Sequence, residues 1–208
     1  MSWTENWNPA VPGEVDGLQY SDKQIILNAD HHIKDRITVT IAPNTGDLDK
    51  GTILGAGTAD GLFRPVLRTT VPAAVAPANP QVIAVAVNTG SKFKLGQTVS
   101  AMSSTTGAVQ ALGTITAING DNITVQTELT AALAANDWLY VSDGSQKALA
   151  ILADVVMDAA ANKISNAYVA GKFIQSQLVG VDSIALSDLK ARSIPYTIGG
   201  VADNILVV

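Results

Sequence analysis

Hydrophobic and polar positions alternate along much of the chain with a period of two. In Arg36-Ile-Thr-Val-Thr-Ile41 the aliphatic residues Ile37, Val39 and Ile41 share one face and Thr38 and Thr40 the other. That pattern predicts a half-buried strand. Pro43-Asn-Thr-Gly46 predicts a turn. Lys50-Gly-Thr-Ile-Leu-Gly55 predicts a second short strand. Leu62-Phe-Arg-Pro-Val-Leu67 predicts a third, with Pro65 placing it at an edge. A second series follows: Gln81–Val87, Gly96–Met102, a hairpin of 109–118 with 122–128 across Asn119-Gly-Asp121, and Trp138–Val141. Asn-Gly is a strong hairpin turn signal. Strands so short and so closely spaced predict a small antiparallel barrel or sandwich. Ala131–Ala135 adds a candidate helical turn.

Two later stretches change the rhythm. Ala148-Leu-Ala-Ile-Leu-Ala-Asp154 is small, aliphatic and unbroken, and ends in an acid; Asn166-Ala-Tyr-Val-Ala-Gly-Lys-Phe173 alternates again. Both predict strands. One helix is expected after them, capped by Asp182 or Ser183, using Ile184, Leu186 and Leu189 as its apolar contacts and ending near Lys190 and Arg192 before Pro195. The apolar Asn204–Val208 segment is expected to be tied into a sheet or an interface.

A Pro/Ala-rich stretch, Val71–Pro80, reads as an extended linker. The resulting division is an N-terminal arm (1–35), a discontinuous domain (36–71 and 147–208) and an inserted β domain (72–146). The fold class expected is therefore mainly β: a small β-rich unit with one helix, interrupted by a small antiparallel barrel or sandwich. The arm carries Trp3, Trp7 and Tyr20 in a chain with few aromatics. Disordered segments are aromatic-poor, so the arm either folds back on its own domain or docks on a neighbour; the second reading is favoured.

Charge and composition narrow the chemistry. The 208-residue chain has a formal net charge of -5, so approach to nucleic-acid phosphates is unfavourable. Only 15% of residues are charged against 47% hydrophobic, a balance suited either to a small-residue β core or to surface hidden in an assembly. No apolar run reaches the ~20 residues needed to span a bilayer, and Met1–Trp7 has no secretory signal pattern. There is no cysteine, which excludes disulfides and thiolate chemistry.

Candidate catalytic groups are few. The only histidines are the adjacent His31 and His32, flanked by Asp30 and Asp35, and their spacing fits no established ligand motif. No Gly-x-Ser-x-Gly elbow or phosphate loop is present. Asp47, Asp49 and Asp60 fall in expected turns, where aspartate serves local hydrogen bonds. Lys92-Phe93-Lys94 could track a single-stranded nucleic acid, but the simpler reading is a solvated strand face with one core aromatic. No enzyme, cofactor or metal is expected.

Several segments resemble, in order, the head decoration proteins of tailed bacteriophages, the family that includes the lambda capsid-stabilising protein. Arg36–Ala42 and Leu48–Gly55, with its Lys-Gly-Thr-Ile-Leu-Gly core, are similar to the family's opening strand pair. Ala148–Asp154 resembles its alanine-rich strand, with Ala150 where the family commonly has glycine. Ala167–Phe173 resembles the next strand, and Leu189–Ile194 the closing helix and its exit. The resemblance covers roughly half the chain; the 72–146 segment has no counterpart in short family members. It implies a β-tadpole-like domain that assembles as homotrimers on the outer surface of an icosahedral head and clamps major capsid proteins. It also implies location in the virion after synthesis in the host cytoplasm, and capsid contact through an arm, here carrying Trp3, Trp7 and Tyr20. The alternative is a glycan- or cell-surface-binding module displayed on a virion or bacterial surface, with Trp138 and Tyr140 of the inserted segment as stacking candidates.

Overall fold

The computed structural model describes residues 35–158, 160–191 and 205–207. The described chain is mainly β, with a closed barrel of five strands and a curled second sheet. The barrel strands are β1 (Asp35–Ile41), β2 (Ile53–Ala56), β3 (Phe63–Pro65), β10 (Ala150–Leu152) and β11 (Lys163–Phe173). Around the ring, β1 pairs with β3, β3 with β2, β2 with β10, β10 with β11, and β11 returns to β1. A further strand, β12 (Ile205–Val207), runs parallel to the end of β11, so the apolar segment near the C-terminus is tied into a sheet.

Between β3 and β10 the chain builds the second sheet: β4 (Arg68–Thr70), β5 (Gln81–Ala84), β6 (Thr98–Met102), β7 (Val109–Asn119), β8 (Asn122–Val125) and β9 (Trp138–Val141). Their order is β4-β9-β6-β7-β8-β5. The first half of β7 pairs with β6 and the second half with β8. Gly113, at φ +70°, sits at the register shift opposite Val99 and Ser100, just before the change of partner, and gives β7 its bend. The sheet thereby curls until Ala86 N–H donates to the Thr70 carbonyl at 3.0 Å across the gap. Ring closure thus occurs in the flanking segments, while the middle segment curls without completing its ladder.

Three apolar cores follow from this arrangement. Val39, Ile41, Leu54, Ala150, Leu152, Ala167 and Val169 point into the barrel. Their strand neighbours Ile53, Ile151 and Tyr168 point outward, where Ala185 and Leu189 of helix α1 (Ser183–Ala191) cover them. The third core, with Leu112, Ile123, Leu139 and Phe93, fills the curled sheet.

Several expectations need correction. The strand around Pro65 is not an edge: β3 lies between β1 and β2. Proline is accommodated because Val66 N–H bonds to the Ile53 carbonyl, which leaves Pro65 opposite Leu54 at a position with no ladder donor to lose, and β1 meets β3 only at Phe63. The Pro/Ala stretch, expected as an extended, semi-rigid linker, is anchored at two of its residues. Val71 is fully buried, and Val75 exchanges two backbone hydrogen bonds with Leu133. That exchange also makes Leu133 part of a bridge instead of the helical turn expected at 131–135. Finally, Arg68–Thr70 pairs with β9 and so belongs to the curled sheet.

Candidate functional site

A polar cluster built on a buried arginine lies where the two sheets and α1 meet. Arg68 opens β4 and stands opposite Tyr140 in the ladder. The side chain of Arg68 is 4% exposed. Its guanidinium donates to Asp182 at 2.9 Å, to Asp188 at 3.2 Å and to the backbone carbonyl of Gln146. Each carboxylate has a second task. Asp182 accepts from the Ala185 N–H at 2.7 Å and so caps α1, as its position before Ser183 suggested. Asp188 accepts from the Ala148 N–H at 3.1 Å, where the chain re-enters the barrel. One buried cation therefore ties the helix, the re-entry loop and the curled sheet together.

A second contact runs through Arg64 of β3. Its fork reaches both oxygens of Asp60, at 3.0 and 2.5 Å, and its Nε lies 3.5 Å from Asp143. The Arg64 guanidinium, helped by the Leu62 N–H, holds the Asp60 carboxyl down at about 2. The Asp143 carbonyl accepts from the Thr58 N–H at 2.8 Å, which fixes the barrel's 56–61 turn to the re-entry loop.

Three other acids serve as hydrogen-bond acceptors. Asp121 accepts from the Gly90, Asn88 and Thr89 N–H groups, and these bonds hold its pKa below the usual carboxylate range. Asp137 is 2% exposed. Burial works against its charge, but the N–H groups of Ser104 and Ala134, both at 2.8 Å, and the Ser104 hydroxyl keep its pKa depressed. At Asp154 burial likewise opposes the charge; Asn166 and Arg36 overcome it and leave the pKa lowered. These carboxylates are ionised structural acceptors, so none is a proton donor near neutral pH.

The arm residues Trp3, Trp7 and Tyr20, together with Asp30, His31 and His32, lie outside the described residues. Among the described residues no group of three or more histidine, aspartate or glutamate side chains is placed to hold a metal. The Asp49 carbonyl accepts from the Thr52 hydroxyl within its turn, whereas Asp47 accepts from the N–H of Asp158, far along the chain, instead of making the local bond expected of it. Lys92-Phe93-Lys94 is not a strand: Gly90–Lys92 forms a 3-10 turn, Phe93 is buried in the curled-sheet core, and both lysines are exposed. The turn wins because Asp121 gathers the 88–90 N–H groups, and Gly90 packs so closely on Gly120 that a side chain there would collide with its carbonyl.

Trp138 and Tyr140 do share a strand face, but the core residues of that strand are Leu139 and Val141 on the other face. Tyr140 is nevertheless only 8% exposed. Burial at the Arg68 side of the sheet raises its phenol pKa. Arg64, Arg68 and Asp188 were missed by sequence reading. Their partners are up to 120 residues away, and no local pattern marks such a contact. No helix among the described residues is long and apolar enough to cross a membrane. Comparison with protein-family models, curated proteins and solved structures gives no match to this chain.

Proposed function

We propose that the protein is a structural component of a phage-type shell: a decoration protein that binds the outer capsid surface as trimers and braces neighbouring major capsid proteins. The observation that carries this reading is the position of the family-like segments. Arg36–Ala42, Leu48–Gly55, Ala148–Asp154 and Ala167–Phe173 supply β1, β2, β10 and β11, four successive members of one closed ring. Segments whose likeness could have been scattered instead build a single unit with a shared interior. On this reading the ring sits on the shell, the 1–35 arm adds contacts by main-chain pairing, and three linked arms gain affinity through multivalency.

The test is co-sedimentation of the purified protein with expanded and with precursor heads of its phage, alongside light scattering for mass. The expected result is a trimer on expanded heads, absence from precursor heads, and loss of binding when residues 1–20 are deleted. A protein that ignores both head forms overturns the reading.

A further inference from the structure

A cleft of about 80 Å³ opens where the barrel meets the curled sheet. One water needs roughly 10–15 Å³ of such space, so the cleft has room for a small polyatomic ion. The barrel contributes Asn44, Thr45 and Arg64; the curled sheet contributes Lys92, Lys94 and Gln97. Three basic residues thus line one small space in a chain whose net charge is -5.

The partners of these groups decide what could enter. The fork of Arg64 is already filled by Asp60, with Asp143 at its Nε. Lys94 donates to the Asn44 carbonyl, and among the described residues neither Lys92 nor Lys94 pairs with a carboxylate. The Gln97 side-chain oxygen accepts from the Lys94 N–H at 2.8 Å, and among the described residues its amide NH2 makes no hydrogen bond.

We propose that this cleft binds a small, multiply charged oxyanion of the phosphate type, held by Lys92, Lys94 and the Gln97 amide and bridging the two sheets. A planar carboxylate is best recognised by a free arginine fork, and that fork is occupied. What remains is two ammonium point charges and neutral donors, which suit a compact ion with several oxygens. Binding at such a seam links the barrel turn at Asn44–Thr45 to the 92–97 segment, so the ion fastens the two sheets to each other.

Isothermal titration of the full chain with inorganic phosphate, with sodium chloride balancing ionic strength, tests this. The expected result is saturable binding with Kd on the order of 1 mM, and acetate at least tenfold weaker. Lys92→Ala/Lys94→Ala is expected to weaken phosphate at least tenfold, Gln97→Ala severalfold, and Lys190→Ala not at all. Because both lysines are exposed, the double variant should keep the wild-type circular dichroism; Lys92→Gln/Lys94→Gln, which retains side-chain length, gives the same readout if it does not. Absence of saturable heat, equal binding of acetate, or unchanged phosphate binding in both double variants overturns the proposal.

Discussion

Asp137 shows what a buried acid does when it is fully paired. Its two oxygens take three hydrogen bonds, two of them from backbone N–H groups that lack another acceptor in their loops. Asp137→Ala leaves those donors unpaired at ~1–3 kcal/mol each, so we expect a loss of about 2–4 kcal/mol by urea denaturation with an unchanged slope. Asp60 makes the contrasting case. Its folded pKa, about 2, lies below the 3.8 of a free aspartate, so the Arg64 pair stabilises the fold above pH 4 and loses that contribution as pH falls toward 2. Asp60 is 38% exposed, so the pair contributes no more than ~1 kcal/mol. Thermal melts of wild type and Asp60→Asn should differ slightly at pH 6 and converge near pH 2; a gap that persists at pH 2 excludes the ion pair as its source.

At the scale of single elements, the unbroken aliphatic run of Ala148–Asp154 finds its reason in two-sided burial. Ala150 and Leu152 fill the barrel while Ala148, Ile151 and Ala153 meet the helix side. A strand covered on both faces has no use for polar alternation. The half-buried β1, by contrast, was legible from its period of two; β6, β9 and the β7–β8 hairpin were legible from their spacing and turn signals, and α1 from its cap and apolar contacts. Illegible from sequence were β3's inner place, the packing of Val71–Val75, and which strands close the ring, since each depends on partners far along the chain. Gly55 is another such case. A methyl group there would lie 2.0 Å from the Ser145 carbonyl and 2.5 Å from that of Lys147. Both obstacles are backbone atoms, so Gly55→Ala must push the re-entry loop off β2. We expect a loss of about 3 kcal/mol or more, with faster amide exchange at 145–149.

For the molecule as a whole, Arg68 and the Arg64–Asp143 contact make the two sheets mechanically continuous. Arg68→Met should cost about 2–3 kcal/mol, since it strands two partly buried carboxylates. Hydrogen exchange should localise the loosening to α1 and the 146–148 segment; a uniform change across the chain counts against the knot. The ring itself has a consequence in time. Leu54 and Ala150 are ladder partners, so a chain that closes the ring directly must join residues nearly a hundred positions apart. Once β4 and β9 have paired, that separation shrinks to two short arms, which saves on the order of 1 kcal/mol of closure entropy. The curled sheet would then act as a template that assembles first and hands the barrel its missing half. Leu139→Ala, deep in the curled sheet, should accordingly slow the appearance of barrel protection in pulse-labelled refolding, although its core cluster holds no barrel-strand residue. Synchronous or faster barrel formation in that variant would reverse the order.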